Sequence, residues 1–114
     1  MSLPRMFAAD NSDIEVSVDV VAEAITAGTH TLLDVREQEE WDDAHISGSM
    51  LIPLSQLGER ITEIPNDRPV HILCHSGQRS LYAVRVLEQA GHAGPKSLAG
   101  GIVAWVQAGN PITR

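Results

Sequence analysis

The chain has one cysteine, Cys74, in the run Cys74-His75-Ser76-Gly77-Gln78-Arg79-Ser80, between an apolar stretch and a helical stripe. Those residue types in that order suit a nucleophile in an anion-holding loop. A helix start offers free N–H groups and the positive end of its dipole, which favour negative charge. A thiolate in that field has a lowered pKa, and the thiolate is the reactive form of cysteine. Gly77 permits the positive φ of a tight cradle, so that successive N–H groups converge as a nest. Arg79 brings a planar charged fork matched to oxyanions, and Ser80 could cap the helix or donate to a ligand. Cys74 is therefore the candidate catalytic residue, with His75, Ser76, Gly77, Gln78, Arg79 and Ser80 as candidate substrate-binding residues. An isolated cysteine at a strand end is ordinarily a small core hydrophobe. A strand end, a mid-loop glycine, an arginine and an immediate helix around this one favour the chemical reading.

Other polar residues are expected to be structural. Asp34, Arg36 and Glu40 near a strand exit suit an ion-pair or loop hydrogen-bond network. His45 ahead of Gly48 suits a packed turn, and Trp41 and Trp105 suit the core or its rim. The histidines lack close ligand spacing and no second cysteine exists, so no metal or other cofactor is expected.

The elements around the loop follow from periodicity. Val18, Val21, Ala22 and Ile25 predict a helix over 18–27, with Ser17 as N-cap and Gly28 past the end. Thr31 to Val35 reads as a short buried strand, Glu37 to Ala44 as a helix with an acidic first turn, and Met50 to Ile52 as a strand stopped by Pro53. Leu54 to Ile64 is expected to form one irregular helix. Val70 to Leu73 is the clearest strand, and Ser80 to Ala90 is an amphipathic helix stopped at Gly91. Ser97-Leu98 predicts a last strand and Ile102 to Ala108 a last helix. Apolar strands alternating with helices imply an α/β fold with a mostly parallel sheet covered on both faces. Ligand sites in such sheets lie beyond the carboxyl ends of the strands, here at the exits after Val35, Leu73 and Leu98. Cys74 stands at the second.

The 114 residues make one domain, with residues 1–12 expected as an N-terminal extension and 13–114 as the folded unit. Met1-Ser2-Leu3 is a candidate vector-derived start. Eight Lys and Arg against fifteen acids give a formal net charge of -7 and no basic stripe, which argues against nucleic acid as a partner. With a single cysteine no internal disulfide forms, and the fold needs no oxidising compartment. The apolar runs fall well short of the about 20 residues that span a bilayer. Met1 to Asp10 has no basic region leading into an apolar core, so it does not read as a signal peptide. A cytoplasmic monomer is the default expectation.

Cys-x-x-Gly-x-Arg-Ser after a strand resembles the active-site loop of single-domain rhodaneses. Asp34-Val35-Arg36-Glu37, continuing through Trp41, His45-Ile46, Gly48 and Ile52-Pro53, resembles a first family signature. Leu98-Ala99-Gly100-Gly101-Ile102 with Trp105, Ala108-Gly109 and Pro111-Ile112 resembles the C-terminal one. The similarity runs from about Val16 to Ile112, and His92-Ala93-Gly94-Pro95 departs from it, because relatives often carry an aromatic residue there. The resemblance implies a rhodanese-like, five-stranded parallel sheet flanked by helices. It also implies a thiosulfate sulfurtransferase whose cysteine cycles through a persulfide, taking sulfur from a small anionic donor and passing it to a thiol, cyanide or protein acceptor. In this family four residues separate cysteine and arginine, as between Cys74 and Arg79. Cdc25-type phosphatases and related arsenate reductases place five there, which makes them the lesser alternative. A persulfide-carrying binding or sensing module with little turnover is the other.

Overall fold

The computed structural model describes residues 11–114, so the first ten residues of the expected N-terminal extension lie outside the described residues. The strands are β1 (Glu15–Val16), β2 (Thr31–Asp34), β3 (Met50–Leu51), β4 (Val70–Leu73) and β5 (Lys96–Leu98). They form one sheet in the order β1-β5-β4-β2-β3, and every pairing is parallel. The helices are α1 (Val18–Ala27), α2 (Gln38–Asp43), α3 (Gln78–Gln89) and α4 (Gly101–Gln107). None is long and apolar enough to cross a membrane.

Two-residue alternation along the central strands sorts the core into two layers. Leu33 and Val35 of the β2 segment, with Val70 and Ile72 of β4, pack against Ala83, Val84 and Leu87 of α3. Leu32 and Leu73 turn to the opposite face and meet Val21 of α1 and Ile102 and Trp105 of α4. Burial of a Leu or Val side chain contributes roughly 1.5–3 kcal/mol, so both layers hold the helices against the sheet. All five strands therefore end at one edge, where their loops converge.

Local signals set most boundaries. The Ser17 hydroxyl accepts from Val20 N at 3.4 Å and Gly28 closes α1 at φ 68°. α3 begins at Gln78, earlier than the expected Ser80, because Gly77 takes the N-cap position at φ 104°. The expected irregular helix over Leu54 to Ile64 is instead two short 3-10 turns, Leu54–Gln56 and Ile61–Glu63. Gly58 between them weakens a continuous helix, and the i→i+3 bonds Leu57 N–Leu54 O and Ile64 N–Ile61 O close each turn separately. β1 was not expected from periodicity. Two residues carry no repeat, and only pairing with β5 makes them a strand.

Candidate active site

β4 delivers Cys74 to the carboxyl edge of the sheet, and the loop folds back over its sulfur. Gly77 N–H lies 3.1 Å and Ser80 N–H 3.4 Å from Sγ, with the Ser80 hydroxyl at 3.5 Å. Cys74 is 1% exposed. Burial pushes the thiol pKa up, but the Ser80 hydroxyl and the N–H groups of Ser80, Gly77 and Arg79 together outweigh it and hold the pKa below its ordinary value. The thiolate is thus stabilised by fixed dipoles at a helix start, as the residue types predicted.

Ser80 does this from inside the helix. It is fully buried on the first turn of α3 and is not the cap; the cap position is Gly77. Its hydroxyl also meets that of Ser97 at 2.7 Å, so a buried residue of β5 orients the group facing the sulfur. The loop is backed by α4. Ile102 N–H donates to Cys74 O at 2.8 Å and Val103 N–H to His75 O at 3.2 Å. Gly101 permits this approach. Its φ is 61°, and a β-carbon there would stand 2.4–2.6 Å from the carbonyl groups of His75 and Cys74.

Arg79 has a protein partner that its place in the loop did not announce. Its guanidinium grips Glu40 with two bonds, of 2.8 and 2.9 Å. Glu40 also accepts from Glu37 N at 2.9 Å, so the carboxylate that closes the start of α2 clamps the start of α3. The Arg79 fork holds the Glu40 carboxyl down at about 2, against a smaller upward push from burial. The Arg79 pKa is raised chiefly by Glu40, and less by the nearby Cys74 thiolate. Arg79 therefore shares its charge between a neighbour and the sulfur.

The expected network around Asp34, Arg36 and Glu40 is present. Arg36 pairs with buried Asp34 at 2.8 Å and donates to the carbonyls of Ala44 at 2.8 Å and Glu40 at 3.3 Å. It thereby ties the β2 exit to the carboxyl end of α2, where a cation suits the dipole. His45 packs its ring on Trp41, with centroids 3.9 Å apart, and pairs its backbone with Thr113. Trp105 is buried and donates to Pro111 O at 2.8 Å. Among the substrate-binding candidates His75, Ser76 and Gln78 are exposed, and His75 lines a cleft beside the loop.

Sequence reasoning missed three contributors: Glu40 as the clamp on Arg79, Ser97 behind Ser80, and Gly101 behind the Cys74 carbonyl. Glu40 carried a signal, as the third helical residue after Glu37. Ser97 carried none.

Comparison with known proteins adds a family. The family named "Rhodanese-like domain" matches residues 17–108. A "Sulfurtransferase" of Allochromatium vinosum is 40% identical over 81 residues, 71% of this chain and 76% of that protein. The "Probable adenylyltransferase/sulfurtransferase MoeZ" of Mycobacterium tuberculosis is 42% identical over 82 residues, 70% of this chain. The matched part spans about a fifth of that longer protein, 21%. A rhodanese-related protein of known structure from Thermoplasma volcanium superposes with a TM-score of 0.81 at 32% identity, covering 88% of this chain and 97% of the other.

Proposed function

The chain belongs to the rhodanese-like domain family, and on that premise we propose that it moves a sulfane sulfur through a persulfide on Cys74, with thiosulfate as a competent donor. The observation that carries this reading is the ring of donors, Gly77 N–H, Ser80 N–H and the Ser80 hydroxyl, around one buried sulfur. In the first half-reaction the Cys74 thiolate attacks the outer sulfur of thiosulfate. The new S–S bond forms as the sulfur–sulfur bond of the donor breaks, and sulfite departs with the electron pair. The terminal persulfide sulfur carries the negative charge, which loop N–H groups would stabilise as oxyanion-hole donors stabilise oxygen. In the second half-reaction a nucleophile, a thiol, cyanide or a protein acceptor, takes the outer sulfur and Cys74 leaves as the thiolate. Two half-reactions through a covalent enzyme form give ping-pong kinetics.

The sulfurtransferase names borne by relatives support transfer of sulfur in general. The loop length between Cys74 and Arg79 supports sulfur over phosphate by its resemblance to rhodaneses. Intact-protein mass after thiosulfate treatment tests the proposal. Gain of one sulfur atom, reversed by a reducing thiol and lost in Cys74→Ala, is the expected result. Sulfur gain by Cys74→Ala, or no gain by the natural chain together with hydrolysis of an aryl phosphate, would sink it.

A further inference from the structure

Beside the loop lies a cleft of about 460 Å³, enough for a small organic molecule. It begins at His75, next in sequence to the nucleophile. Its apolar wall is α4, through Ile102, Val103 and Val106, with Ile112 beyond. That wall is joined to the loop, because Ile102 and Val103 donate their backbone N–H groups to the Cys74 and His75 carbonyls. Val106 is 48% exposed, an apolar side chain left open to solvent at the cleft.

The opposite rim is α2, and its charge is lopsided. Residues 37–43 hold five acids, Glu37, Glu39, Glu40, Asp42 and Asp43. Of the charged groups on the cleft, Glu40 is matched by Arg79, and Arg36 by Asp34. Asp43 is exposed and has no ion pair among the described residues. An apolar wall facing an uncompensated carboxylate complements a molecule with a hydrocarbon body and a positive head.

We propose that this cleft receives the sulfur acceptor, and that the acceptor class it favours is a small apolar thiol bearing an amine. The inference rests on the sulfur-transfer reading above. The acceptor thiol loses its proton to solvent, and its thiolate attacks the outer persulfide sulfur. A new sulfur–sulfur bond forms on the acceptor, the bond to Cys74 breaks, and Cys74 departs as thiolate. No oxidant or reductant enters, since the sulfane sulfur moves unchanged in oxidation state.

The test measures discharge of the thiosulfate-loaded protein by four probes at low ionic strength. Cysteamine and 3-mercaptopropionate differ in charge; benzyl mercaptan and 2-mercaptoethanol differ in apolar body. Comparing the natural chain with a variant for the same pair of thiols cancels their intrinsic reactivities. Asp43→Lys is expected to lower the cysteamine to mercaptopropionate rate ratio by about fivefold, an effect that vanishes at high salt. Val106→Ser is expected to lower the benzyl mercaptan to mercaptoethanol ratio by about threefold. Both substitutions are at exposed positions, and loading to one sulfur per chain at saturating thiosulfate verifies the fold. Normal loading with both ratios unmoved overturns the cleft while leaving sulfur transfer standing. Failure to load from thiosulfate or from polysulfide overturns both.

Discussion

His71 in β4 and Cys74 just after it are titratable residues three positions apart, and the two ends of the strand treat them in opposite ways. His71, near the start, is 3% exposed and stacks on His30 with ring centroids 4.1 Å apart. Burial, with a smaller push from His30, lowers its pKa to about 4, so it stays neutral. Cys74, past the end of the strand, is buried as deeply, yet its pKa is lowered, which favours the charged form. Burial opposes charge at both places. Only at the carboxyl edge do a helix start and a serine hydroxyl supply donors that reverse the outcome. Depth of burial therefore says little about charge here; donors aimed at the group decide it.

Two glycines give the contrast its largest mechanical test. Gly101, at φ 61°, sits against the Cys74 and His75 carbonyls, whereas Gly28, at φ 68°, has nothing within 4 Å of an added β-carbon. Gly101→Ala should cost about 3 kcal/mol and displace the loop, read by denaturant unfolding and by loss of persulfide loading. Gly28→Ala should cost only about 1 kcal/mol, the left-handed backbone penalty alone, with loading intact. Equal costs would mean that the backing of the loop by α4 is not rigid.

The His71 end is tested by acid. A histidine neutral in the folded state and protonated at about 6.5 when unfolded makes the unfolded chain bind more protons as pH drops. Stability is untouched above about 6.5, falls between 6.5 and about 4, and levels off below. The loss should approach about 3 kcal/mol, and His71→Leu should remove that part of the pH dependence. An unaltered acid profile in the variant would show that burial does not govern this end of the strand.

At the sulfur end, Ser80→Ala removes one donor to Sγ and strands the Ser97 hydroxyl, costing about 1–3 kcal/mol. Its sharper readout is the pH profile of loading, which should move upward as the thiol becomes harder to ionise. A profile that stays in place would assign the lowered pKa to backbone N–H groups alone. The smallest effect belongs to Glu40→Gln. The pair with Arg79 is about one-third exposed, so its loss should cost under about 1 kcal/mol, less at high salt. Because the Glu40 pKa is depressed, its stabilisation is present above about 4.5 and lost as pH falls through about 2. A chemical denaturation series across that range checks it.

The sequence by itself determined what depends on neighbours along the chain. Val70, Ile72 and Leu73, with His71 the single polar interruption, mark the run as a buried strand. Gly77 had to supply the positive φ, and the stripe through Leu81, Val84 and Leu87 had to make the helix whose start faces Cys74. Those are short-range consequences of backbone sterics and periodicity, so the cysteine and the loop around it were legible before any fold was known. The tertiary structure alone decided what depends on distant segments. Arg79 is held by Glu40, 39 residues away, and Ser80 is oriented by Ser97, 17 residues away. The loop carbonyls are met by α4 across Gly101, and β1 exists only through its pairing with β5. No local pattern encodes such contacts, because they form only when a parallel sheet gathers the ends of its strands at one edge. That gathering clamped Arg79 to Glu40 at the loop, and set N–H groups and one buried hydroxyl around the sulfur.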